Sequence, residues 1–136
     1  MNLSVEKLLH DSLLSLIDND LVNSAHDVSE GGITCCLAEC CIINEEKMVG
    51  AEVRIPVKTR IDFSLFSESQ SRIVVSISPN NKEKFESKLK EFNQAFIYLG
   101  KTGGKSLKIN DEIDLRLNSL AALYFNTIPD IMNSEK

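Results

Sequence analysis

Ser24-Ala25-His26-Asp27-Val28-Ser29-Glu30-Gly31-Gly32 is a compact run of titratable, hydroxyl and glycine residues that leads straight into an apolar segment beginning at Ile33. Polar side chains and free backbone N–H groups ahead of a helix make a place where an anion can be held. Gly31 and Gly32 permit a tight turn and close approach of a ligand, and either Asp27 or Ser29 is positioned to cap the helix that follows. The same residues also read as a plain strand-to-helix turn with no ligand. Leu21-Val22 begins a short extended run that delivers Ser24 to Asp27 at its C-terminal end, and Ile33 to Ile43 reads as a buried helix. This order resembles the strand-loop-helix geometry of many binding sites.

Elements of both kinds flank this unit. Val5, Leu8, Leu9, Leu13, Leu16 and Ile17 recur at helical spacing after Ser4, a plausible N-cap, and Asp18-Asn19-Asp20 ends the pattern. Met48 to Val57 alternates Val49, Ala51, Val53 and Ile55 with polar or small residues, as a strand with one buried face does, until Pro56. Phe63 to Phe66 is a connector of about one helical turn, and Arg72 to Ser78 reads as a central strand built on Ile73-Val74-Val75. After the Pro79-Asn80-Asn81 cap signal, Phe85, Leu89 and Phe92 line one side of a helix that covers the sheet. Ala95 to Leu99 is a further strand. Leu107 to Ile109 and Ile113 to Leu115 form a hairpin about Asn110-Asp111, and Asn118 caps a last helix that ends near Pro129. The layout is α+β, a mixed and largely antiparallel sheet flanked by helices. Residues 1–132 are expected to form one domain around one core, with 133–136 as a frayed tail.

Composition narrows the function classes. The 136 residues carry a formal net charge of −5 and no basic stripe, which argues against a nucleic-acid partner. Lys82, Lys84, Lys88 and Lys90 interleave with Glu83, Glu86 and Glu91 as a solvated helix face does. No apolar run approaches a membrane span and no secretory leader is recognisable, so the expected compartment is the cytoplasm, with no membrane partner. Cys35, Cys36, Cys40 and Cys41 fall in one predicted helix, unlike a disulfide framework, and read as reduced, small buried hydrophobes. Cys36 and Cys40 stand one turn apart, but no neighbouring histidine completes a ligand set in the sequence, and no metal site is expected.

Adjacent residues on a strand point to opposite faces, so neighbouring His26 and Asp27 do not by that fact form a catalytic dyad. The plain reading of His26 is a half-buried ring with a backbone partner. A second polar stretch, Leu65-Phe66-Ser67-Glu68-Ser69-Gln70-Ser71-Arg72, precedes a hydrophobic strand. Glu68, Ser69 and Gln70 offer a carboxylate, a hydroxyl and a carboxamide to a polar ligand, and Arg72 can pair with an anion; the bland alternative is a solvated turn in which Arg72 neutralises Glu68. Gly100 to Lys105 lacks the spacing of a phosphate-binding loop and precedes a β-like run, so it reads as a hairpin-type turn.

The Ser24 to Gly32 run with Leu37-Ala38-Glu39, the Leu65 to Ser76 stretch and Leu99-Gly100-Lys101-Thr102-Gly103-Gly104 together resemble signatures of the C-terminal-type domain of the phosphoribosylformylglycinamidine synthase family. This family lies in the superfamily of aminoimidazole ribonucleotide synthetase, and the resemblance extends over nearly the whole chain. It implies an aminoimidazole ribonucleotide synthetase-like C-terminal domain in an enzyme that uses ATP, Mg2+ and glutamine-derived ammonia to convert formylglycinamide ribonucleotide to the amidine. It implies as partners an ATP-binding N-terminal-type domain and a glutaminase. The chain resembles the family's second, structural half, and carried onto it the resemblance implies either a scaffold or a substrate or nucleotide surface of Asp27, Ser29, Gly31, Gly32, Glu68, Ser69 and Gln70, supported by His26 and Arg72. No catalytic residue and no metal ligand of the family maps here, so the isolated chain is expected to be inactive and to bind no cofactor by itself. The alternatives are a non-catalytic interaction module, or the equivalent domain of another superfamily member such as aminoimidazole ribonucleotide synthetase.

Overall fold

The computed structural model describes residues 2–134. Helix α1 (Leu3–Asp18) is capped by Asn2, whose side-chain oxygen accepts from the N–H groups of Ser4 and Val5 at 3.1 and 3.4 Å. Ser4, the cap expected from the sequence, therefore lies inside the first turn. The amphipathic stripe starts one residue earlier because Asn2 satisfies those orphan donors at least as well.

Strand β1 (Ser24–Asp27) pairs antiparallel with β3 (Ile73–Ser76) in a two-stranded ribbon. A separate four-stranded sheet has the order β4 (Gly100–Thr102), β2 (Ala51–Val53), β5 (Ser106–Ile109), β6 (Ile113–Arg116). Within it β2 and β5 run parallel, while the β2–β4 and β5–β6 pairs are antiparallel. This is the expected α+β class, with β3 in the ribbon rather than at a sheet centre. The run from Ala95 to Leu99 forms no ladder: Phe96, Ile97 and Tyr98 are exposed, and pairing with β2 begins at Gly100.

Helices α2 (Gly32–Ile42), α3 (Ile61–Phe66) and α5 (Leu117–Ser134) accompany the sheet, and α4 (Lys82–Glu91) packs against α1. Ala51, Val53 and Ile55 are buried as the alternation predicts, whereas Val49 is exposed. The expected single core is two clusters. The larger gathers Ile33, Cys36, Leu37, Ile42, Leu65, Leu107 and Ile109, and the smaller joins Leu16 and Leu21 to Phe85 and Leu89. The ribbon separates them, because consecutive strand residues face opposite ways: Val74 packs on the larger cluster and Val75 on the smaller. Helix α4 thus covers α1 and the ribbon rather than the four-stranded sheet. Helix α5 passes through Pro129 instead of ending there; the lost amide costs one backbone bond on a helix whose outer surface is open to water. Glu135 and Lys136 of the expected frayed tail lie outside the described residues.

Candidate functional site

Antiparallel register sets Asp27 opposite Ile73, and the Val28 N–H adds a bond to the Arg72 carbonyl at 2.9 Å. The end of β1 and the beginning of β3 therefore share one end of the ribbon, which brings the turn before α2 against the Ser67–Arg72 segment. Glu68 Oε1 accepts from the Gly31 N–H at 3.0 Å, and the Thr34 hydroxyl donates to the Leu65 carbonyl at 3.0 Å. Gly31 and Gly32 have φ values of +72° and +67°, a left-handed pair that L side chains rarely adopt. A Cβ on Gly32 would fall 2.7 Å from the Phe66 carbonyl carbon, so only glycine lets α2 start against the end of α3.

This geometry overturns the expected capping. The N-cap of α2 is Gly31, and no side chain hydrogen-bonds to the first turn in the manner predicted for Asp27 or Ser29. Both of those residues are exposed. Glu68, reaching across the ribbon end, takes up the Gly31 N–H instead, and its negative charge is suited to the positive end of a helix. Arg72 does not neutralise Glu68: its Nε donates to the Ser69 carbonyl at 3.1 Å and its Nη2 to the Ser67 carbonyl, so it holds the shape of the loop. Gln70 is exposed, and the left-handed Ser71 donates its hydroxyl to Glu6 of α1.

Beside this loop a groove of about 740 Å³ is lined by apolar Ile33, Ile55, Phe63 and Leu99 and by Lys58, Thr59, Arg60, Ser67, Ser69 and Arg72. Ser69 and Arg72 are the members of the sequence-derived set that reach it. Lys58, Thr59 and Arg60 were not singled out by sequence reasoning, although a basic and hydroxyl triplet directly after a strand is a usable signal. Arg60 forms a two-point ion pair with Asp62 at 2.6 and 3.1 Å and lies over the Phe63 ring at 5.3 Å. Cations, hydroxyls and an apolar wall in one groove suit an anionic ligand that carries an apolar or ring-bearing part.

A different cluster forms where His26 meets α2. His26 Nδ1 lies 2.7 Å from the Asp27 backbone carbonyl, while the Asp27 carboxylate stays 3.9 Å away. The histidine is the half-buried ring with a backbone partner that the sequence indicates, and no His-Asp dyad forms. Nδ1 also stands 3.5 Å from Cys36 Sγ, and Nε2 stands 3.4 Å from Glu39 Oε2. Glu39 Oε1 in turn accepts from the Tyr124 hydroxyl at 3.2 Å. Cys40 completes the group: one ligand atom each from His26, Cys36 and Cys40 lie within 4.8 Å of one another. No histidine stands near these thiols in the sequence, and β1 approaches α2 only through the tertiary fold. Burial of the four cysteines is uneven as well, with Cys36 and Cys41 buried, Cys35 half-buried and Cys40 exposed. The hydrogen bond to the Asp27 carbonyl raises the His26 pKa. A hydrogen bond with Cys36 lowers Cys40 to about 7 and raises Cys36, while burial pushes Cys41 up to about 11.

Among the described residues no helix is long and apolar enough to cross a membrane. Residues 1–111 match the family described as AIR synthase related protein, C-terminal domain. The chain is 38% identical over 140 residues to phosphoribosylformylglycinamidine synthase subunit PurL of Alkaliphilus metalliredigens, covering 100% of this chain and 19% of that protein. It is 38% identical to the same subunit of Prochlorococcus marinus, covering 98% of this chain and 18% of the relative. The chain thus spans about a fifth of the length of the curated relatives it matches. Its fold is similar to that of Thermotoga maritima PurL complexed with FGAR, with a TM-score of 0.70 and 20% identity over 85% of this chain and 21% of that one. Thermotoga maritima PurLQS gives a TM-score of 0.71 at 23% identity, with the same coverage of both chains. By the match over residues 1–111, the chain belongs to the AIR synthase related protein, C-terminal domain family.

Proposed function

We propose that this chain is the C-terminal-type domain of a phosphoribosylformylglycinamidine synthase and supplies part of a nucleotide or substrate cleft to a larger ATP- and glutamine-dependent amidoligase. The observation that carries this reading is similarity along the whole chain to a subunit of that name, of which the chain spans 19%. Residues 1–132 act as one domain in the cytoplasm, and the ATP-binding domain and glutaminase are its partners. The ligand surface comprises Asp27, Ser29, Gly31, Gly32, Glu68, Ser69 and Gln70, with His26 and Arg72 in support, and continues into the groove through Lys58 and Arg60. The groove lining supplies the cations Lys58, Arg60 and Arg72, which suit phosphate oxygens, and the neighbouring Asp62 carboxylate is engaged by Arg60. Mg2+ would neutralise phosphate charge in the assembled enzyme, held by residues outside this chain.

In this reading the chain positions ligand and performs no bond-making step alone. Given formylglycinamide ribonucleotide, ATP, Mg2+ and ammonia, the isolated chain yields no amidine, and turnover by it overturns the assignment of chemistry to the missing domains. Calorimetric titration with millimolar ADP or formylglycinamide ribonucleotide is expected to release heat that Ser69→Ala diminishes. A silent titration instead favours a purely structural module. Helix α5 gives that second reading its own support, since Tyr124, Ile128, Ile131 and Met132 lie toward one side of the helix and are all exposed. The occupant of that face is the remainder of the same enzyme.

A further inference from the structure

We propose that His26, Cys36 and Cys40 form a binding site for a thiophilic divalent cation, with Zn2+ as the best-fitting ion. Three observations combine. The donors are two thiols and an imidazole, the soft and borderline ligand set that favours Zn2+ over the hard cations Mg2+ and Ca2+. The ligand atoms already lie within 4.8 Å of one another, and bonds of about 2.0–2.3 Å in a tetrahedron need separations of roughly 3.5–3.8 Å, a contraction within reach of side-chain rotation. Cys36 and Cys40 present their thiols from one face of α2, and β1 presents the ring from a second element, so the ion would bridge two parts of the fold.

The surroundings specify which ring nitrogen binds. Nδ1 is the nitrogen beside Cys36 Sγ, at 3.5 Å, and Nε2 faces Glu39 Oε2 at 3.4 Å. Metal on Nδ1 leaves the ring proton on Nε2, donated to Glu39, whose other oxygen is held by Tyr124 at 3.2 Å. This carboxylate–imidazole–metal relay fixes the ring and raises its basicity. Nδ1 gives up the Asp27 carbonyl, and the Cys36 and Cys40 thiols lose their protons to solvent as the ion binds. Cys40 is exposed, so the ion has an approach path and a fourth position open to water.

Co2+ serves as the spectroscopic probe, added to the full chain under reducing conditions with a weak chelator as competitor. One equivalent is expected to produce thiolate-to-cobalt charge-transfer absorption and tetrahedral visible bands, both abolished by stoichiometric Zn2+. Cys40→Ser, at an exposed position, should remove about half of the charge-transfer intensity, and His26→Gln should weaken affinity by about tenfold or more. Cys35→Ser, outside the cluster, should change neither. Absence of charge transfer in the unaltered chain overturns the site, as does a charge-transfer intensity unchanged by Cys40→Ser or lost with Cys35→Ser.

Discussion

The junction between β1, α2 and the Ser67–Arg72 loop and the outer face of α5 are built on opposite terms. At the junction, residues remote in sequence satisfy one another: Glu68 reaches Gly31, Thr34 reaches Leu65, Val28 reaches Arg72, and Gly32 admits the backbone of Phe66. On α5 only Leu117 is buried, while Ile128 and Met132 stand 69% and 70% exposed. Polar partners from distant segments hold the first region together, whereas the C-terminal half of α5 leaves several large apolar side chains open to solvent.

The sharpest way to break this contrast is Gly32→Val. A β-branched side chain at φ +67° adds backbone strain to a collision with Phe66, and the expected loss is more than about 3 kcal/mol in urea unfolding. A loss below about 1 kcal/mol would mean that α2 and α3 are free to separate. Glu68→Ala should cost about 1 kcal/mol, the usual size of a lost helix-end acceptor, with Glu68→Gln retaining much of it. Equal losses in the two variants would show that charge, not the hydrogen bond, holds the joint. The smallest effect is predicted for Ile128→Gln, within about 0.5 kcal/mol of the parent stability in urea unfolding. Large destabilisation by this variant would place Ile128, like Leu120 and Phe125, against the domain's own core.

The sequence was most legible where the determinants are local. Asn110 marks the β5–β6 turn by its tolerance of a left-handed backbone, here φ +52°, and its side chain also accepts from the Ile55 N–H at 2.7 Å. The alternation at Ala51, Val53 and Ile55 identifies a buried strand face directly. What escaped depends on distant partners. No local rule says that a helix start will be served by Glu68 from another loop, or that the thiol pair of α2 will meet His26. The Phe96-Ile97-Tyr98 run has every preference of a strand, yet the available edge of β2 is taken by Gly100–Thr102. The groove was half legible: Ser69 and Arg72 stood out, whereas Lys58 and Arg60 acquire meaning only once the fold brings them to the same space.

The parallel pairing of β2 with β5 carries a kinetic consequence. Ala51 finds its partner only at Leu107, after α3, β3, α4 and β4 have intervened, whereas β5 and β6 meet through a short turn. The loop-closure entropy of that distant pair must be overcome before its hydrogen bonds contribute. The β5–β6 hairpin can assemble early, whereas during synthesis β2 waits with an open edge until residues as far as Ile109 have emerged.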